Sequence, residues 1–248
     1  MSHHYTWDER IERAEHLQKK YSSSAELLAF YVQVAQFQKR LYEELGKSGN
    51  GEIALIADAA PELLALVRRA GPSQMVSMAR NLEVSDWRAS ISQQWGAFMN
   101  GDGVPADFFV RALLQPYAEA IAWNTSNLQS ETCPFCKSKP QLVVLRPEGE
   151  GAKRYLYCDF CNTEWAYRRI ICANCGELDK EALPTFRSEQ LPQVHLAGCD
   201  SCRRYLKCID LSVDGHAVPM SDDLASLSLS LWAVRENYRP VSFNLFGF

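Results

Sequence analysis

The chain has 248 residues, 47% hydrophobic and 23% charged, with a formal net charge of −4. That balance excludes a disordered chain. With 12 basic against 15 acidic residues up to position 130, and 14 against 15 beyond it, neither part has the basic excess that a phosphate backbone demands, so no nucleic-acid partner is expected. No apolar run approaches the ~20 residues that span a bilayer. The polar start, from Met1 to Arg13, lacks the apolar stretch of a signal peptide. The expected location is cytoplasmic, without membrane insertion. Nothing is attached to His3-His4.

In chain order, the first part reads as helices. Ala25, Leu28, Tyr31, Val32, Ala35 and Leu41 keep helical spacing, with Ser24 as N-cap and the glycine-rich stretch 46–51 as the stop. Residues 61–70, 72–81, 87–99 and 106–125 read as further helices, punctuated by Gly71, Gly101-Asp-Gly103 and Pro105. This predicts an all-α, bundle-like domain over residues 1–129 with no site chemistry of its own. Gly46-Lys47-Ser48 is not a phosphate loop, because the glycine required five places earlier is Leu41. Asn124-Thr-Ser126 fits the glycosylation sequon, which a cytoplasmic location makes a chance match.

All nine cysteines lie between Cys133 and Cys208. Eight of them form four C-x-x-C pairs: Cys133/Cys136, Cys158/Cys161, Cys172/Cys175 and Cys199/Cys202. The gaps between successive pairs are 21, 10 and 23 residues, which reads as a tandem repeat of two long-gap units. A disulfide framework needs an oxidising compartment and suits neither the N-terminus nor the odd count. A thioredoxin-like redox motif needs one such pair rather than four. Two C-x-x-C pairs at this separation mark a four-thiolate metal site, since two knuckles can close a tetrahedron of sulfurs. Sequential grouping is expected: Cys133, Cys136, Cys158 and Cys161 in one site, and Cys172, Cys175, Cys199 and Cys202 in the other. Each long gap can then hold a hairpin, as in residues 141–146 and 154–157 around the turn-rich 147–151. A cross-brace is the alternative. Tetrahedral thiolate suits zinc and iron alike. Rubredoxin-like knuckles often carry glycine after the second cysteine, which here only Gly176 satisfies, with Lys137, Asn162 and Arg203 in the other places.

The phrases around these cysteines are more specific. Cys133-Pro-Phe-Cys136, Arg154-Tyr-Leu-Tyr-Cys158, Cys161-Asn-Thr-Glu-Trp165, Arg168-Arg-Ile-Ile-Cys172-Ala-Asn-Cys-Gly176, Cys199-Asp-Ser-Cys-Arg-Arg-Tyr-Leu-Lys207 and Asp222-Asp-Leu-Ala-Ser-Leu-Ser-Leu229 follow one another. Together they closely resemble the formate dehydrogenase accessory protein family FdhE, through nearly all of residues 130–248. The first part resembles it more loosely, around Leu27-Leu-Ala-Phe-Tyr31 and Ala35-Gln-Phe-Gln-Lys39. The resemblance implies an α+β protein: the helical domain 1–129, a rubredoxin-like or zinc-ribbon module over 130–170, and a second over 171–248 with a C-terminal helix and tail. It implies two four-cysteine iron sites, with zinc as a substitute. It further implies a non-enzymatic helper that contacts the catalytic subunit of a respiratory formate dehydrogenase. Self-association is left open.

Other residues carry plainer expectations. Cys208 is a packed thiol, and His195 a packed ring rather than a ligand. Trp165 and Trp232 are expected to pack in the core or on a ribbon face, with partner contact as the second reading. Arg168, Arg169, Arg203, Arg204 and Lys207 either offset the thiolate charge or face an acidic partner. Ser221, Asp222 and Asp223 cap the apolar run 224–234. The tail 244–248 is expected to dock on its own chain, with a partner-binding tail as the alternative. No catalytic constellation is present, and a closed four-thiolate site leaves no position for substrate. The competing functional readings are a rubredoxin-like electron carrier or thiol exchanger, and a zinc-ribbon nucleic-acid binder, which the charge disfavours.

Overall fold

The computed structural model describes residues 4–48, 53–82, 87–100, 105, 107–122 and 130–248. Residues 49–51, the Gly101-Asp-Gly103 punctuation, the sequon 124–126 and His3 lie outside the described residues.

Among the described residues seven α-helices precede the cysteines: α1 (Trp7–Lys20), α2 (Ala25–Ser48), α3 (Ile53–Asp58), α4 (Ala60–Ala70), α5 (Ser73–Asn81), α6 (Trp87–Met99) and α7 (Phe108–Ile121). Two of these, α1 and α3, are absent from the sequence expectation. The signal for α1 was present as Thr6-Trp-Asp-Glu9, a capping box. The Thr6 N–H donates to Glu9 Oε2 at 2.7 Å and the Glu9 N–H to Thr6 Oγ1 at 3.2 Å. Ser24 is not an N-cap. It ends a short 3-10 turn and donates its hydroxyl to the Ala225 carbonyl at 3.2 Å, because α2 follows that turn directly. Helix α2 continues through Gly46 to Ser48.

Two buried faces make α2 the central helix. Leu28, Tyr31, Val32 and Ala35 pack with Trp7, Ile11, Ala14 and Leu17 of α1. The opposite stripe, Phe30, Val34, Phe37 and Leu41, joins the larger core with α4, α6 and α7. Helical spacing of both stripes produces this sandwiching.

The second part is one seven-stranded sheet: β1 (Leu142–Glu148), β2 (Gly151–Cys158), β3 (Thr163–Ala166), β4 (Thr185–Arg187), β5 (Val194–Cys199), β6 (Arg204–Asp210) and β7 (Arg239–Pro240). The order is β3-β2-β1-β6-β5-β4, with β7 beside β6. The expected hairpin is present as β1 and β2, antiparallel from Leu142↔Tyr157 to Glu148↔Gly151, and Gly149 supplies the left-handed turn residue at φ 58°. The two cysteine units share this sheet, because β1 runs parallel to β6 from Leu142↔Lys207 to Leu145↔Asp210.

The C-terminal run forms two helices, α8 (Pro219–Ala225) and α9 (Leu227–Arg235), rather than one from 224 to 234. The break is Ser226, whose hydroxyl donates to the Asp223 carbonyl at 2.9 Å. Asp222 and Asp223 therefore lie inside α8. Capping is only part of their role: Asp222 accepts from the Val218 N–H at 2.8 Å but also holds Arg13, at 2.7 and 2.9 Å. Asp223 pairs with Lys207 and accepts from Asn244. The tail docks on its own chain, with Phe246 stacked on Phe108 and edge-on to Phe30 and Tyr31.

Candidate metal centres

Each cysteine unit places its knuckles in the same way. The first knuckle precedes the strands of its own unit, Cys133/Cys136 before β1 and Cys172/Cys175 before β4. The second knuckle turns a hairpin: Cys158 ends β2 opposite Thr163, and Cys199 ends β5 opposite Arg204. The residue after the second cysteine is left-handed in all four knuckles: Lys137 (φ 60°), Asn162 (φ 54°), Gly176 (φ 79°) and Arg203 (φ 55°). Three side-chain-bearing residues thus adopt the conformation expected of glycine, and the rubredoxin-like turn does not depend on glycine here. The turn lets Lys137 N–H donate to the Cys133 carbonyl at 2.9 Å, and Gly176 N–H to that of Cys172 at 3.0 Å.

The structure groups the cysteines sequentially. The sulfurs of Cys133, Cys136, Cys158 and Cys161 lie within 4.8 Å of one another, as do those of Cys172, Cys175, Cys199 and Cys202. Individual separations are 3.5 Å for Cys133–Cys161 and Cys136–Cys158, 3.8 Å for Cys172–Cys202 and 3.7 Å for Cys175–Cys199. A tetrahedron with metal–sulfur bonds of ~2.3 Å puts its sulfurs about 3.8 Å apart. The donor sets therefore fit a tetrahedral thiolate-bound ion. Burial pushes the free Cys161 thiol well above its ordinary value and that of Cys199 up to about 12, so loading an ion must release protons.

The two clusters differ in access. The first is wholly buried, whereas Cys175 is exposed and Cys202 half-buried in the second. Hydroxyls two residues past a cysteine serve the first cluster: Ser138 Oγ lies 2.7 Å from Cys136 Sγ, and Thr163 Oγ1 lies 3.1 Å from Cys161 Sγ. In the second, Glu177 joins the knuckles, accepting from the Ser201 hydroxyl at 2.6 Å and from the Leu178 and Asp179 amides at 2.9 Å. These bonds hold the Glu177 carboxyl below its usual range. Sequence reasoning missed all three residues, although the cysteine-x-hydroxyl spacing of Ser138 and Thr163 is a legible signal.

The remaining candidates are placed as follows. Cys208 and His195 are buried cross-strand neighbours outside both clusters. Trp165 is fully buried and donates its indole N–H to the Ser130 carbonyl at 2.7 Å, and Trp232 packs on Phe186. Arg168 and Arg169 are exposed. Arg203 pairs with Asp200 and stacks on Tyr238. Lys207 leaves the expected surface patch, being 3% exposed and paired with Asp223, because its strand β6 lies inside the sheet.

Known proteins are similar to this chain. The model "FdhE, central domain" matches residues 132–169 and "FdhE, C-terminal domain" matches residues 170–246. A protein FdhE homolog of Aquifex aeolicus is 29% identical, over 96% of this chain and 94% of its own length. Protein FdhE of Escherichia coli K12 is 30% identical over 79% of this chain, which spans 64% of that relative. The crystal structure of the FdhE protein from Pseudomonas aeruginosa shares the fold, with a TM-score of 0.72 and 23% identity over 99% of this chain and 98% of that one. Fold, paired cysteine clusters and relatives agree: the chain belongs to the FdhE family, the formate dehydrogenase accessory family that its cysteine phrases resemble.

Proposed function

We propose that this protein is a cytoplasmic accessory factor that transiently binds the catalytic subunit of a formate dehydrogenase and raises its active fraction without turning over substrate. The single observation that supports this most is the family match across both cysteine units, residues 132–246. The family is one of accessory proteins rather than enzymes. Among the described residues no helix is long and apolar enough to cross a membrane.

Cys133, Cys136, Cys158 and Cys161 would hold one iron, and Cys172, Cys175, Cys199 and Cys202 a second, with zinc able to replace either. Such an ion ties knuckles together and, as iron, exchanges one electron. The chain's own residues do the rest. Ser138 and Thr163 direct hydroxyls at sulfur, Glu177 fixes the second pair of knuckles, and α7 holds the first cluster against the helical part through Arg111 and Gln115. Residues 1–129, 130–170 and 171–248 serve as helical support and two metal modules. A second reading, a rubredoxin-like electron carrier, draws support from the exposure of Cys175 at the second cluster.

Deleting the gene should abolish respiratory formate oxidation while the dehydrogenase polypeptide is still made, and that subunit should co-purify with the tagged protein. Complementation should fail with Cys172→Ala combined with Cys175→Ala. Full dehydrogenase activity in the deletion strain, with no co-purifying subunit, would refute the accessory role. A reversible potential without such an effect would favour the carrier.

A further inference from the structure

A cavity of about 370 Å³ lies where the two cysteine units meet. One rung of the sheet crosses it, because Arg187, His195, Cys208 and Val143 are successive partners on β4, β5, β6 and β1. Five cations line it, Arg154, Arg169, Lys180, Arg187 and Arg204, and no carboxylate does. Among the described residues, none of the five lies within ion-pair distance of an acidic group. Asp210, two residues beyond Cys208, is turned to Ser212 and takes both its amide and its hydroxyl.

Two buried groups sharpen the picture. Arg154 is 7% exposed, and its Nη1 reaches only neutral acceptors, the carbonyls of Arg168, Arg169 and Ile171 at 2.8, 3.2 and 2.9 Å. A buried guanidinium without a counter-charge is costly. His195 is 5% exposed, lines the same space, and its Nδ1 has no hydrogen-bond partner. Cys172 and Cys199 of the second cluster also reach the wall. A divalent ion on four thiolates carries a formal −2, which two of the five cations offset, leaving three. Val143, Leu145, Leu206 and Val241 give the cavity an apolar part. Apolar walls with a few convergent polar groups, at this volume, are typical of small-molecule sites.

We propose that this cavity binds an anionic group on a short apolar body, a carboxylate or a phosphate ester, with Arg154, Arg187 and His195 as its polar contacts. The assignment is independent of the accessory role and survives its failure.

The full chain, with its metal sites loaded, is titrated calorimetrically with phenyl phosphate, benzoate and neutral benzyl alcohol. One equivalent of each anion binds, salt weakens the binding, and the His195 ring-nitrogen resonances shift. Affinity falls at least tenfold in the Arg169→Gln, Arg187→Gln double variant, whose positions are exposed, and is unchanged in Arg235→Gln. Absence of anion binding, equal binding of benzyl alcohol, or unchanged affinity in the double variant overturns the proposal. Displacement of phenyl phosphate by a glutamate-rich peptide assigns the anion to a protein chain, and failure of displacement assigns it to a free small molecule. Both results uphold the site.

Discussion

Arg111 of α7 donates to Asp159, the residue directly after Cys158, at 2.6 Å, with the two side chains 5% and 4% exposed. Gln115, one turn further along α7, donates to the Asp159 carbonyl at 2.6 Å, and Gln141 accepts from its amide. The knuckle that supplies two ligands of the first cluster is thereby held by the helical part. Phe98 of α6 against Phe160, 4.9 Å between ring centres, adds apolar contact at the same place.

Arg111→Met leaves the Asp159 carboxylate buried without its cation, and the expected loss of stability is about 3 kcal/mol or more. Adding Asp159→Asn removes the stranded charge and should recover part of that loss. Urea unfolding of both variants checks the pair, and equal stabilities of wild type and Arg111→Met would show the clamp to be unimportant.

Metal release should be stepwise. Cys175 is exposed, whereas all four sulfurs of the first cluster are buried, so a chelator should remove about one equivalent quickly and the other slowly, reading each four-thiolate group as the site of one ion. Alkylation mapped by mass spectrometry should label Cys175 first. A single rate for both equivalents contradicts this.

The left-handed residues can be tested directly. Lys137 sits at φ 60°, a conformation that costs an ordinary side chain roughly 1–2 kcal/mol. Lys137→Gly should therefore fold at least as stably as wild type, whereas the β-branched Lys137→Val should lose about 1 kcal/mol or more. Thermal melts of the metal-loaded variants decide it.

A pH effect follows from His195. Burial first, then the Arg187 charge, lowers its imidazole to about 4, against an opposing pull from Asp210. Between pH 6.5 and 4 the unfolded chain takes up a proton that the folded chain refuses. The stability from this group is present above pH 6.5 and is lost as pH falls toward 4, by up to about 3 kcal/mol. Protonation of thiolates also weakens the protein in acid, so the readout is the difference between wild type and His195→Gln. The variant should show a flatter decline in melting temperature over that window, and parallel curves would exclude the effect.

Local signals made much of this architecture readable. The periodic stripes of α2, the turn at Gly149 and the C-x-x-C spacings each act over a few residues, and all three appear where expected. Helix α1 was missed because its run is predominantly polar outside its buried stripe, and only Thr6 and Glu9 announced it. The capping roles assigned to Ser24, Asp222 and Asp223 were incomplete or displaced because their partners are remote: Ala225 for Ser24, Arg13 for Asp222 and Lys207 for Asp223. Long-range hydrogen bonds and ion pairs leave no periodic trace. The access difference between the clusters was likewise invisible, since both have similar spacing and differ in what packs over them.

The parallel pairing of β1 with β6 bears on how the chain is made. When β1, β2 and β3 have left the ribosome, the first ribbon can close its hairpins, yet the outer edge of β1 has no neighbour until the whole second ribbon has been synthesised. Residues Leu142 to Leu145, apolar throughout and packed into the core of the finished protein, would meanwhile offer an open row of amides and carbonyls to any extended segment nearby. A nascent chain stalled before β6 thus presents an unpaired apolar edge on which the wrong strand can pair.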